Sequence, residues 1–283
     1  MTAILGGIAA SVCFAVSSLC ASAATREVGP ATTLAGVMAF GLLLVLPPTI
    51  LLGDAGQLSA STIGLMVVIG ASNVIGLRIE YLALRRGKVG VVVPIVSTDG
   101  AIAAVIAVLV GLQLGARTAA LLVVISAGVM FAAASPDPID AVDTGPGLRS
   151  GVLALIAAVL FGVNLYVTGH VGSEVSLVWV LLPARLVGTA VVALPLAVRG
   201  VPWPRIGVVR LLAIAGAAEV VGVVAYTIGA RHELAVAAVL ASQFAALTTV
   251  GAYFVFGERL NRSQVAGLVI VAVGVGLLAA SAA

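Results

Sequence analysis

Charge is scarce in this chain. Of 283 residues, 9% are Asp, Glu, Lys or Arg and 62% are hydrophobic, whereas a soluble domain carries about 25% charged residues. So little polar surface cannot cover a water-soluble globule. The net charge is only +3, and lysine occurs once, at Lys88. The arginines are scattered over the ends of apolar runs, which excludes a nucleic-acid footprint and fits anchoring at a membrane surface. Histidine and cysteine occur twice each. His170 and His232 sit at run ends, and no metal-ligand spacing is present. Cys13 and Cys20 share one helix face, too far apart for a disulfide, and read as small apolar residues. No nucleotide-binding loop is present. The expectation is therefore no enzyme, no cofactor, no metal and no nucleic-acid partner.

Apolar length is what the chain has in plenty. Its mean hydropathy is +1.27, and ten apolar runs can be marked, at about 3–24, 31–53, 61–84, 89–114, 118–135, 150–169, 175–198, 206–229, 234–257 and 263–283. A bilayer crossing takes roughly 20 such residues. The first run has no basic segment before it and is too long for a signal-peptide core, so it reads as a retained helix. Pro47 and Pro48 inside the second run predict a kink, because two backbone donors are missing. The stretch 136–149, PDPIDAVDTGPGLR, is the least hydrophobic of the chain and reads as a linker.

The fourth run organises the rest. Near its midpoint stands Asp99, beside Ser97 and Thr98. A charge at that depth costs about 2.5–3.5 kcal/mol on insertion scales, so it faces a bundle interior or a wet cavity. Arg185 and Glu219 also fall near helix centres. Arg78 and Glu80 lie closer to an end and read as snorkelling to the interface. For the central three, one reading is an ion pair holding helices together, and the other is a substrate or proton site. One cation among three charges leaves an acid that must be protonated, solvated by a cavity or paired with a cationic ligand. The uncharged candidates are Ser17, Asn73, Ser97, Thr98, Asn164, Tyr166, Tyr226, Ser242 and Gln243. Singly, each reads as an interhelical hydrogen bond.

The halves repeat. Val12, Phe14 and Val16 align with Val159, Phe161 and Val163, and Ser17 with Asn164. In one further register Tyr81, Arg86, Ser97 and Arg117 fall on Tyr226, Arg231, Ser242 and Arg262. With five runs in each copy, the second copy enters the membrane from the opposite side. Inverted repeats of this kind place a substrate site near the midplane between halves. The expected fold is all-α: ten transmembrane helices in two inverted five-helix repeats, at 1–136 and 150–283.

At this point the chain resembles the EamA-type transporters of the drug/metabolite transporter superfamily. Gly257-Glu258-Arg259-Leu260, followed by Gln264, Gly267, Ile270 and Gly274-Val275, is similar to that family's junction between the fourth and fifth helices of a repeat. Phe161-Gly162-Val163-Asn164 and Tyr81-Leu82-Ala83-Leu84-Arg85 resemble two further family motifs. The chain departs at Gln113, where Glu is usual, and at Gly100 and Ala245, where a mid-helix Pro is usual. Asp99 is not part of the pattern. The resemblance implies a central cavity lined by the first, third and fourth helices of each half, and cytoplasmic termini. The positive-inside rule opposes that orientation, because Arg117 and Arg231 alone share the face of the termini.

The function expected from sequence is a secondary transporter in the plasma membrane, a proton-coupled exporter of a small metabolite, amino acid or drug-like cation. The candidate site residues are Asp99, Glu219, Arg185, Asn164, Ser17, Asn73, Ser97, Ser242, Gln243 and Tyr166. The expected partners are a small-molecule solute, protons and the lipid bilayer. The rival reading is a scaffold or lipid-handling subunit without transport. Glu258 and Arg259 are expected to hold a surface turn and not to touch solute.

Overall fold

A computed structural model describes residues 1–54, 56, 58–87, 89–133, 146–202, 204–256 and 262–281. The described residues are helical, with no strand. In chain order the helices are α1 (Thr2–Val28), α2 (Pro30–Leu52), α3 (Ala60–Arg86), α4 (Val89–Val96), α5 (Asp99–Leu109) and α6 (Ala116–Ala133), then α7 (Pro146–Glu174) and α8 (Leu177–Gly188). A π turn (Thr189–Ala193) leads into α9 (Leu194–Val198), followed by α10 (Ile206–Ala241), α11 (Phe244–Phe256) and α12 (Arg262–Ser281). Among the described residues, seven helical stretches are long and apolar enough to cross a membrane; one of them, Ile206–Val255, has 50 residues, more than twice the roughly 20 that one crossing needs. Leu51, Leu109, Val198 and Phe254 point outward, while Asn73, Glu80, Asp99, Arg185 and Glu219 are buried. Apolar outside with polar inside is the arrangement of a chain solvated by lipid. The protein is a multi-pass membrane protein.

Local chemistry sets the breaks. Gly29, at φ 80°, turns the chain between α1 and α2, and Pro30 starts α2 where its missing N–H is not needed. Pro47 and Pro48 do not interrupt α2, which continues to Leu52. Each lacks the N–H that would reach the carbonyl of Leu43 or Leu44, and the helix runs on past both.

The fourth apolar run, expected as one helix, is two. Ser97 Oγ donates to Pro94 O at 2.8 Å and Thr98 Oγ1 to Ile95 O at 2.9 Å, competing with the backbone ladder and tightening the chain into a turn. The same turn recurs between α10 and α11, where Ser242 Oγ donates to Val239 O and Gln243 Nε2 donates to the same carbonyl, both at 2.8 Å. Further back, α10 carries a second break, because Glu233 is extended at φ −147° and ψ 97°. It falls between the eighth and ninth apolar runs, as their spacing predicts. α5 ends in a Schellman motif: Gly111 has φ 110°, and Leu112 N–H reaches Ala107 O at 2.9 Å. The expected linker is shorter than 136–149, since α7 already starts at Pro146. Residues 134–145, and with them most of that linker, lie outside the described residues, as do Gly257, Glu258, Arg259 and Leu260.

The packing brings the halves together at the centre. α1 packs along α10 and α3 along α7; α5 packs on α7 and α11 on α1; α2 meets α8, and α6 meets α12. Exchanging the halves leaves this set of partners unchanged. The α1–α10 crossing is close because both helices present glycine there. A Cβ on Gly6 would stand 2.6 Å from Ala225 O and 2.8 Å from Gly229 Cα, too close for any side chain.

Candidate functional site

Where α1, α3, α5, α7, α10 and α11 converge they leave a cavity of about 80 Å³. A water needs roughly 10–15 Å³ of such space, so several waters or part of a small solute fit. The six helices belong to the first, third and fourth apolar runs of each half. The cavity is lined by symmetric pairs: Phe14 of α1 with Phe161 of α7, Ser17 with Asn164, and Tyr81 of α3 with Tyr226 of α10.

Five of the ten residues singled out from sequence line it, namely Ser17, Asn73, Asp99, Asn164 and Glu219. Asp99 opens α5, and its Oδ1 accepts the Gly100 N–H at 2.7 Å. Glu219, inside α10, is held from two sides: Arg185 Nη1 lies 3.1 Å from Oε2, and Asn73 Nδ2 donates to Oε1 at 3.4 Å. Asn164 donates from Nδ2 to Ile69 O at 2.8 Å and to Ser72 Oγ at 3.1 Å, which ties α7 to α3.

The other five lie elsewhere. Arg185 sits behind the wall on α8 with its side chain only 1% exposed. It touches Met38 Sδ at 3.6 Å and runs along Gly41, where a Cβ would meet its Cδ at 2.7 Å. The glycine leaves the channel through which the guanidinium reaches Glu219. Ser97 and Ser242 are not cavity lining. Each hydroxyl is spent on the carbonyl three residues back, as is the Gln243 amide on Val239 O. Tyr166 stacks on His170 at 6.1 Å and 7° on the far side of α7.

The structure adds a residue that the sequence had assigned to the interface. Glu80 is 4% exposed and lines the cavity, while Arg78 is exposed as expected. Their opposite fates follow from helix geometry, since two positions apart point to different faces. The seven-residue spacing of Glu80 from Asn73 places both on one face of α3, and that spacing was the available signal. The aromatic wall of Phe14, Phe161, Phe244, Tyr81 and Tyr226 is the other addition. Phe14 and Phe244 meet edge to face, with centroids 6.3 Å apart, and Tyr226 Oη donates to Leu165 O at 2.6 Å.

A sequence model of the EamA-like transporter family matches residues 1–134 and 149–280, which is nearly the whole chain. The chain belongs to the EamA-like transporter family. A protein of known crystal structure shares the fold of this EamA-like chain, with a TM-score of 0.76 at 15% identity, over 98% of this chain and 96% of its own. No curated protein matches. The family accounts for a membrane transporter of the drug/metabolite kind. Within that frame, this EamA-like chain has a cavity walled by aromatics and three carboxylates, one of them neutralised by an arginine.

Proposed function

We propose that the protein is a secondary transporter that moves a small organic solute by alternating access. In this reading the chain crosses the plasma membrane ten times, in two halves of opposite orientation, and carries its solute outward in exchange for protons. The observation that carries it is the cavity at the junction of the halves, built from equivalent helices of each and lined by buried acids. A site between two inverted halves is opened to one side or the other as they rock.

Proton coupling has a specific support. Glu219 is engaged by Arg185 and Asn73, whereas Glu80 and Asp99 line the same space without a cationic partner among the described residues. The groups around them are the hydroxyls of Tyr81 and Tyr226 and the Glu219–Arg185 pair. An acid in such a place exchanges its charge for a proton as access to water alternates. A scaffold without transport would need only the paired acid, and two unpaired carboxylates would cost it stability for no return.

The test uses the full chain in liposomes, with a panel of radiolabelled solutes and an internal pH dye. A proton gradient should drive accumulation of at least one solute, and that solute should release protons in the other direction. Asp99→Asn should fold and still exchange solute at saturation while losing pH-driven accumulation. If Asp99→Asn and Glu80→Gln both keep the wild-type response to a pH gradient, neither acid carries the proton.

A further inference from the structure

The cavity's wall also indicates what it takes, granted the transporter reading above. Three carboxylates line it, and the Arg185 guanidinium stands behind its wall. That guanidinium points Nη1 at Glu219, 3.1 Å from Oε2, while its Nε is without a hydrogen-bond partner among the described residues. Glu80 Oε1 is buried without a hydrogen-bond partner among the described residues, and so is the carbonyl oxygen of Asn73 seven residues before it. Both side chains line the cavity, as does that of Asp99, whose Oδ1 accepts the Gly100 N–H. A buried oxygen left without a donor costs free energy comparable to a lost hydrogen bond, and more when charged. A proton or an entering hydrogen-bond donor supplies what these oxygens lack, and beside two acids a cationic donor binds most strongly.

The remaining wall distinguishes the kind of cation. A bare divalent ion needs about six oxygen ligands, and no group of three His, Cys, Asp or Glu among the described residues is arranged to hold a metal. Instead the acids share the space with the rings of Phe14, Phe161, Tyr81 and Tyr226. Aromatic faces attract ammonium and guanidinium groups and also cover an apolar body. We propose that the solute is an organic cation, with its charged head on the Glu80 and Asp99 carboxylates and its apolar part against the aromatic wall. Proton and solute then compete for the same two acids, which makes one leave as the other arrives.

A matched set of probes isolates the charge: phenethylammonium, 2-phenylethanol and phenylacetate have nearly the same shape. Calorimetric titration of the full chain in nanodiscs should show saturable binding of the cation. The neutral and anionic compounds should bind about tenfold more weakly or worse, the effect of one lost charged hydrogen bond. Glu80→Gln and Asp99→Asn should each weaken the cation by a similar factor, with folding checked by melting and size exclusion. Glu174→Gln, at an exposed helix end, should change nothing. Should Glu80→Gln not fold, Asp99→Asn and Glu80→Asp serve in its place. Equal binding of phenylacetate, no binding of phenethylammonium, or unchanged cation affinity in both variants overturns the proposal. Flux of the same probes into liposomes separates the two readings. A cation that binds and never crosses defeats transport and leaves the site. An anion carried faster than the cation, each above its leak into protein-free liposomes, defeats the site and leaves transport.

Discussion

At the scale of single residues the chief constraint is the guanidinium of Arg185, which is 1% exposed in the middle of an apolar bundle. Breaking a buried pair by removing one partner costs about 3–5 kcal/mol, whereas replacing both partners with apolar groups of similar volume is often neutral. Glu219→Met should therefore lower the melting temperature more than the double change Arg185→Met with Glu219→Met. A double variant that melts as low as the single one would show that the pair is not what Arg185 is there for. The turn serines give a contrasting expectation. Because Ser97 and Ser242 spend their hydroxyls on Pro94 O and Val239 O, Ser97→Ala and Ser242→Ala should each cost about 1 kcal/mol of stability. Solute affinity should stay within about twofold of wild type, since neither hydroxyl faces the cavity. A larger loss of affinity in flux assays would return them to the site.

At the scale of elements, helix contacts through glycine decide how closely the two halves approach. In a bilayer there is no hydrophobic drive between helices, so association rests on close packing. A methyl at Gly6 would collide with the backbone of α10 at Ala225 and Gly229, and overpacking of this sort costs about 1–3 kcal/mol. Gly207, near the start of α10, has open space around its Cβ position. There the same change should gain a few tenths to about 1 kcal/mol by removing backbone freedom from the unfolded chain. Melting of Gly6→Ala and Gly207→Ala in detergent should move in opposite directions. Equal shifts would mean that the α1–α10 crossing relaxes freely. The turns inside the fourth span of each half belong to this scale too. They place Asp99 at the first residue of α5 and Phe244 at the first residue of α11, both on the cavity.

At the scale of the whole molecule, the proposed inversion is a statement about which side of the membrane each loop occupies. Glu27 stands one residue before the end of α1 and Glu174 ends α7, both are exposed, and they occupy equivalent positions of the repeat. In a background with Cys13 and Cys20 replaced by Ala, single cysteines at the two positions should be labelled by an impermeant maleimide from opposite faces of sealed vesicles. Labelling from the same face would mean parallel halves and would remove the structural basis for alternating access.

Membrane class, the positions of the apolar runs, the repeat and the family motifs were all legible in the sequence, because each is written in local composition and spacing. A 20-residue apolar run needs no partner to declare itself, since the bilayer is its solvent. Buried charge was legible as well, because Asp99, Arg185 and Glu219 stand far from any run end. Which acid meets the arginine, and that Ser97, Ser242 and Tyr166 stand away from the cavity, were decided by tertiary structure. Each depends on the rotation of one helix about its axis relative to a neighbour distant in sequence. In a chain apolar on nearly every face that rotation leaves almost no periodic trace, and close packing of small residues against the opposite half sets it.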